Sequence, residues 1–395
     1  MMRKIAAHYI FPSTEKPIKN GIITLDDSGK ILDITQSNEN LLEVAGLEFY
    51  SGILVPGFVN THCHLELSHL KGKVREHTGL PGFVSQINQI RKADDSEILD
   101  ALKKADADMC HNGIVAVADI SNTRNSFEAK SNSKIIYHTL LEIFTTNPDF
   151  VERNFEMAKK HENELKTLGL SSSIVPHAPY SVTPAMFKLI YNHAFENKQL
   201  ISIHNQECAS ENELYQSKSG ELYDTFVKLG INFDPIPLSG KNSLESIMVQ
   251  LPKSTKTILV HNTFSQKEDI LKASRYFENL YWCMCPNANL YIENSLPDIP
   301  LFQVLKQNIT IGTDSLASNK QLSILEELKT INRNFPQITV YELIRWATLN
   351  GAEALDLSQQ IGSFEIGKTP GVNLIKQFDL QNFKFRPESN LKRLI

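Results

Sequence analysis

Two histidines one residue apart, His62 and His64, lie within the stretch Ile53 to Leu70, ILVPGFVNTHCHLELSHL, just after an apolar run. On an extended strand the side chains alternate between faces with period two, so both imidazoles point one way and Cys63 the other. Two imidazoles aimed at one point are the beginning of a metal site. Pro56-Gly57 marks where the chain turns into the strand, and the polar run after His64 marks its C-terminal end. Histidine pairs at this spacing also recur by chance on surfaces and in cores, so the pair gains meaning only from partners delivered elsewhere.

Those partners need elements that bring distant residues together. From Gly57 to about residue 357, short apolar runs alternate with helical stretches, the rhythm of repeated βα units around a parallel sheet. The runs are Ile53 to His62, Ile114 to Ala118, Ile135 to Ile143, Ser173 to Pro176, Leu200 to His204, Thr257 to His261, Leu280 to Cys285 and Ile309 to Thr313. Helices are predicted over Ser96 to Cys110, Phe150 to Leu168, Pro184 to Asn197 and Lys267 to Phe277. Thr183 ahead of Pro184 reads as a helix start, and Ser265-x-x-Glu268 and Thr339-x-x-Glu342 read as capping boxes. Eight strands with intervening helices in about 300 residues predict a closed (β/α)8 barrel of the TIM type, an α/β fold with its active site at the C-terminal strand ends. An open doubly wound sheet is the competing topology. Before residue 55, the runs Ile5 to Ile10 and Gly21 to Leu25 flank the turn Asp26-Asp27-Ser28-Gly29 and predict a small antiparallel sheet.

Polar residues fall at the ends of these strands. His177 follows the fourth run, His204 and His261 close the fifth and sixth, and Asp314 follows the eighth. A lone histidine at a strand end is more often a satisfied structural residue than a ligand. Several on one mouth of a barrel, together with the His62/His64 pair, are hard to explain that way. Three nitrogens and a carboxylate with room for water make an open catalytic site of the zinc type.

Composition agrees with small-molecule chemistry. The chain has 395 residues, 41% hydrophobic and 22% charged, which predicts an ordinary globular protein with one large domain and a smaller one. A net charge of −5 offers no broad basic surface, so nucleic acid and anionic membrane are not expected partners. No apolar run is long enough to span a bilayer. Five cysteines, an odd number without small-domain spacing, read as reduced thiols and predict a cytoplasmic protein. His8 and Pro12 interrupt what would have to be the apolar region of a signal peptide. A homodimer is the default expectation for assembly.

The motifs VPGFVNTHCHLE, IVPHAPYSV, ISIHNQE, LVHNTF and IGTDSLAS together resemble the amidohydrolase superfamily, in its branch of guanine, adenosylhomocysteine and aminofutalosine deaminases and related chlorohydrolases. The resemblance spans nearly the whole chain. It implies a small β-sandwich formed by both chain ends, residues 1–55 and 359–395, beside a metal-dependent barrel of residues 56–358. The tail GSFEIGKTPGVNLI looks like the family's return strand into that sandwich.

The resemblance also implies roles. One divalent ion, zinc ahead of iron or manganese, would be held by His62, His64, His204 and Asp314. A bound ion lowers the pKa of its water from about 15.7 to near 7. Asp314 would accept that water's proton, and His261 would hydrogen-bond the attacking oxygen. Glu207, three residues after His204, matches the family's His-x-x-Glu and would protonate the ring nitrogen beside the attacked carbon. Read alone, with Glu211 and Glu213 close behind, Glu207 would pass for a solvated loop residue. His177 resembles the histidine that contacts the substrate ring. The implied reaction is hydrolytic release of ammonia from an aminopurine-type ring. The expected partner is therefore a small aminated heterocycle, with an adenine-bearing nucleoside such as aminofutalosine preferred. A related hydrolase of a chlorinated heterocycle or a cyclic amide, and a non-catalytic barrel, are the alternatives.

Several features stay outside this scheme. Gly362 to Thr369 satisfies the P-loop spacing, yet Pro370-Gly371 and a strand-like run follow where a phosphate-binding helix would have to open. Cys283 and Cys285 read as strand packing, because a thiolate site needs more cysteines nearby. The segment Gly79 to Phe83 offers no carboxylate for ribose hydroxyls, although Glu76 is near. Glu66, His69, Asn287 and Asn289 carry no assigned role.

Overall fold

The computed structural model describes residues 2–36 and 45–395; Met1 and residues 37–44, inside the expected N-terminal segment, lie outside the described residues. Strands β1 (Arg3–Ile10), β2 (Ile18–Lys19), β3 (Ile22–Leu25), β4 (Ile31–Thr35) and β5 (Leu47–Pro56) come first. Eight strands follow in alternation with helices: β6 (Phe58–Cys63), β7 (Ile114–Ser121), β8 (Ile136–Ile143), β9 (Ser171–Pro176), β10 (Ile201–Asn205), β11 (Lys256–His261), β12 (Asn279–Met284) and β13 (Ile309–Ile311). The chain closes with β14 (Val372–Lys376) and β15 (Asn390–Arg393).

Strands β6 to β9 and β10 to β13 form two parallel four-stranded sheets, each in sequence order. Both seams between them are tied. Thr313 N donates to His62 O at 3.0 Å and Cys63 bridges Asp314 at one seam, while His204 N donates to His177 O at 3.0 Å at the other. The sheet is therefore a closed barrel and the open doubly wound alternative is excluded. Period-two alternation sorts the side chains: Ala116 and Ala118 of β7 pack inside with Val59, Leu140, Val175, Ile258 and Val260 from strands all round the barrel. Val117, Leu141, Ile174 and Leu259 point outward and join the core shared with the helices.

The chain ends meet in a sheet of order β15-β14-β5-β1-β3-β4, with β2 on β1. The antiparallel sheet expected at the N-terminus is in fact mixed, because β1 and β5 run parallel, Lys4 opposite Leu47 through Ile10 opposite Leu54. Strand β14 pairs antiparallel with β5, setting Asn373 against Val55. The predicted turn holds, with Asp26 Oδ1 accepting from Ser28 N at 2.8 Å and Lys30 N at 3.0 Å. Ile5, Ile10, Ile23, Leu54, Phe364 and Val372 fill the core of this unit.

The run Ile53 to His62, expected as one strand, is two. Ile53–Pro56 finishes β5 in the end sheet and Phe58 starts the barrel, with Gly57 between them. A Cβ on Gly57 would lie 2.5 Å from Pro370 O and clash with Val115, so only glycine lets the chain pass between the two sheets.

Helices Asp95–His111, Val151–Thr167, Pro184–Asn197 and Lys267–Tyr276 fall within a residue of their expected bounds. Thr183 caps its helix by accepting from Met186 N at 3.3 Å, and Thr339 pairs with Glu342 as a capping box. The box expected at Ser265 and Glu268 is shifted by one: Gln266 N donates to Asp269 Oδ2 at 2.9 Å. Ser265 donates instead to Gln206 Oε1 at 2.6 Å, tying that helix start to the loop after β10.

Candidate metal centre and its cavity

Four groups converge at the C-terminal mouth of the barrel. His64 Nε2 lies 3.1 Å from His62 Nε2 and 3.3 Å from His204 Nε2. Asp314 Oδ1 lies 3.5 Å from His62 Nε2 and 3.4 Å from His64 Nε2. All four residues are buried. A tetrahedral ion with bonds of 2.0–2.1 Å sets its ligand atoms about 3.3 Å apart. The spacing and the three-imidazole, one-carboxylate donor set therefore fit a zinc-type divalent ion.

Local structure explains the convergence. His64 lies just beyond β6, and the register of β6 on β7 shifts between Asn60 and Cys63, so the two imidazoles meet through an irregular strand end. His261 and Asp314 have φ of 70° and 56°, left-handed values that turn both chains sharply at the strand ends. Such a conformation costs on the order of 1–2 kcal/mol for a residue with a Cβ. Gly312 lets β13 approach, since a Cβ there would sit 2.9 Å from His62 Cβ and from Cys285 Sγ. Cys283 and Cys285 are buried beside it, their sulfurs 3.9 Å apart, as strand packing.

Outer hydrogen bonds aim the four groups. His204 Nδ1 donates to the His177 carbonyl at 2.7 Å, leaving its Nε2 lone pair toward the other three groups. Ser318 Oγ donates to Asp314 Oδ2 at 2.5 Å. Burial pushes the His64 imidazole down to about 3 and holds His204 well below its ordinary value, so both stay neutral. Burial alone would push Asp314 up, but the hydrogen bond from His62 and the nearby His64 and His261 hold it well below the usual carboxylate range.

Beside the cluster, His261 Nε2 lies 3.6 Å from Glu207 Oε1. His261 Nδ1 donates to Asn289 Oδ1 at 2.8 Å, so its Nε2 faces the cavity as an acceptor. Burial pushes His261 down to about 4. Burial, then the charges of Asp314, Glu293 and Glu211, hold the Glu207 carboxyl well above its ordinary value. Glu211 aims that loop, accepting from Gln206 N at 3.0 Å and Glu207 N at 3.2 Å while fully buried. His177 borders the same cavity, its Nδ1 paired with Ser181 Oγ at 2.8 Å.

The cavity has a volume of about 430 Å³, and His64, His177, His204, Glu207, His261 and Asp314 all line it. The residues without an assigned role separate into three kinds. Asn289 orients His261. Glu66 accepts from Asn122 N, Thr123 N and Thr123 Oγ1 and so braces the loop after β7, and His69 Nε2 bonds Arg91 O at 3.0 Å. Asn287 is turned away from the mouth, with Oδ1 accepting from Thr330 Oγ1 at 2.6 Å. Glu76 pairs with Lys320 at 3.1 Å outside this cavity.

Sequence reasoning missed Glu142, at the end of β8. Its Oε2 accepts from Asn122 Nδ2 at 2.9 Å and its Oε1 lies 3.5 Å from His204 Nδ1; burial pushes it up to about 8. A glutamate set among Leu140, Leu141 and Ile143 at the end of the strand was the available signal. Ser318, four residues after Asp314 in IGTDSLAS, was equally visible but had no partner to suggest it.

A closed (β/α)8 barrel carrying a buried His/Asp cluster at its C-terminal mouth defines a metal-dependent hydrolase architecture. The amidohydrolase family profile matches residues 53–390, and the chain belongs to that family. An aminodeoxyfutalosine deaminase of Nitratiruptor sp. is 28% identical over 341 residues, 82% of this chain and 79% of the relative. The Helicobacter pylori aminofutalosine deaminase, solved in complex with methylthio-coformycin, superposes with a TM-score of 0.80 at 22% identity, covering 97% of this chain and 93% of that one. A Xanthomonas campestris adenosine deaminase solved with bound zinc gives 0.72 at 21% identity over 96% of this chain and 85% of that one. These two structures speak for the fold. No helix among the described residues is long and apolar enough to cross a membrane.

Proposed function

We propose that this protein is a metal-dependent deaminase that hydrolyses the exocyclic C–N bond of an adenine-type nucleoside, with aminofutalosine the preferred candidate. The observation that carries this reading is Glu207, a carboxyl kept neutral by burial and set 3.6 Å from His261 Nε2 in the cavity that holds the four-donor cluster. Deamination of N=C–NH2 needs a proton on the ring nitrogen as the carbon becomes tetrahedral, and a neutral carboxyl supplies it. The deaminase names carried by the relatives support the same direction.

His62, His64, His204 and Asp314 would hold one divalent ion, zinc first, which supplies water activated at neutral pH. Asp314 takes a proton from the attacking water as its oxygen bonds to the amino-bearing carbon. His261 accepts a hydrogen bond from that oxygen and orients it. Glu207 gives its proton to the adjacent ring nitrogen. The proton on Asp314 then passes to the amino group, the C–N bond breaks, and ammonia leaves as the carbonyl forms. Glu207 regains a proton when the remaining hydroxyl gives its own up. His177 faces the ring and offers a hydrogen bond to a ring nitrogen.

Ammonia release by zinc-reconstituted protein, measured against aminopurines, their nucleosides, aminofutalosine and aminopyrimidines, tests the reading. Release from an adenine nucleoside supports it. Silence across the panel from fully metallated protein overturns it in favour of a hydrolase that displaces another group.

A further inference from the structure

Between His204 and Glu207 the chain has two residues, Asn205 and Gln206, and both are fully buried. Gln206 has a φ of 45°, in the left-handed region, as do His261 and the Asn262 that follows it, at 70° and 58°, on the end of the neighbouring β11. Such backbone is disfavoured for a residue with a Cβ and persists where its surroundings over-determine it. Asn262 N donates to Asn205 O at 3.0 Å, Asn205 Nδ2 to Asn262 Oδ1 at 3.0 Å, and Phe264 N to Gln206 O at 3.0 Å. The loops after β10 and β11 are thereby bolted into one frame.

Every polar atom of Gln206 is committed. Its N donates to Glu211 Oε1 at 3.0 Å, its Oε1 accepts from Ser265 Oγ at 2.6 Å, and its Nε2 donates to Asp269 Oδ2 at 3.1 Å and to Asn212 Oδ1 at 3.3 Å. Asp269 also accepts from Asn242 Nδ2 and from Gln266 N, so it receives from the Gln206 amide as well and fixes which way round that amide lies. The Glu207 carboxyl, by contrast, takes no hydrogen bond from a described residue and faces His261 Nε2 at 3.6 Å. Its place is set by the backbone that Gln206 turns.

We propose that Gln206 is a positioning residue for the reaction: its left-handed turn, clamped by the side chains of Ser265, Asp269 and Asn212, sets the Glu207 carboxyl against His261. This rests on the reading of Glu207 as the proton donor of a deaminase. In that reading Glu207 serves a ring nitrogen while His261 orients the oxygen attacking the adjacent carbon, so the separation of the two groups is what must be held. Gln206 holds it by spanning from Asn212 in helix Ala209–Ser217 to Asp269 in helix Lys267–Tyr276.

Gln206→Met keeps the length of the side chain and removes its hydrogen bonds. In zinc-loaded protein kcat should fall by about 10- to 100-fold, the scale of a misplacement of about 1 Å, with KM within about threefold of wild type and zinc content intact. Added to Glu207→Gln, the same substitution should cost less than about threefold, because a group that acts through Glu207 then has no proton donor to place. Ser265→Ala removes one bond to the amide and leaves Asp269 paired. It should show the same pattern on a smaller scale, and it decides the matter if Gln206→Met does not fold. Losses that multiply in the double variants, or a rise in KM with kcat unchanged, overturn the inference. Crystal structures of wild type and variant read the placement without turnover: Glu207 should shift while His62, His64, His204 and Asp314 stay, and an unmoved Glu207 overturns the inference. A displaced Glu207 in the variant, with no ammonia released by wild type from any adenine nucleoside, would sink the reaction assignment and leave the positioning role standing.

Discussion

The Nδ1 of His204 donates to the backbone carbonyl of His177 at 2.7 Å, across the seam that joins the two halves of the barrel. A carbonyl can only accept, so the proton sits on Nδ1 and the Nε2 lone pair is free for the cluster. The same contact fixes His177 beside the cavity. Barrel closure and ligand orientation are thus one interaction.

Metal should stabilise the fold measurably. Saturating zinc at about 1,000 times its Kd contributes about 4 kcal/mol by mass action. Chelation should lower the thermal midpoint, and His64→Ala should remove both bound zinc and the chelator effect. Unchanged midpoints with and without zinc would count against the cluster as a metal site.

Glu207→Gln keeps the size of the side chain and removes the transferable proton. Turnover should fall by a factor on the order of 100 or more with zinc content intact. A near-normal rate would take Glu207 out of the mechanism.

Lys130 and Asp119 form a fully buried ion pair at 2.6 Å, and Asp119 Oδ1 also accepts from Leu65 N, directly after His64, at 2.8 Å. Burial pushes Asp119 up while Lys130 holds it down. Lys130→Met strands a carboxylate in the interior and should cost about 3–5 kcal/mol in urea unfolding. Lys130→Met with Asp119→Asn should recover part of that loss, whereas additive losses would argue against direct coupling.

His138 gives a pH signature away from the metal cluster. Burial, aided by Lys130 and opposed by Asp356, pushes its imidazole from 6.5 down to about 4. Below 6.5 the unfolded chain takes a proton that the folded chain refuses until about 4. Stability from this group is therefore full above 6.5 and is lost as pH falls through that window. His138→Gln, which can still meet Ser173 Oγ, should flatten the difference in urea midpoint between about pH 5 and about pH 8. An unchanged slope would assign the effect to other histidines.

What could be read in advance follows from periodicity. Ile114 to Ala118 and Thr257 to His261 announce buried strands because their spacing and β-branched content are local properties. His204, His261 and Asp314 follow because a barrel delivers every strand end to one mouth. Glu142, Glu211 and Ser318 were not legible, since each acts through a partner that only the closed barrel supplies. Glu211 even reads as a solvated charge until its burial against the Gln206 and Glu207 amides is seen. The split at Gly57 was legible only in part: Pro56-Gly57 read as the turn into the barrel strand, yet continuous hydrophobicity ran Ile53 to Val55 and Phe58 to Val59 together, although they serve two different sheets. Parallel pairing of β1 with β5 was invisible for a similar reason, as alternation reports burial and not direction.

The pairing of Asn373 with Val55 has a consequence for biosynthesis. When β5 leaves the ribosome, one of its edges can be covered by β1, but the strand for the other edge, β14, follows all eight barrel strands. Throughout translation of the barrel that edge stays open, a template for strands of other nascent chains. Completion of the end sheet therefore waits for Val372–Lys376 and Asn390–Arg393 to be made, and a chain cut before Val372 should accumulate as aggregate even with His62, His64, His204 and Asp314 all present.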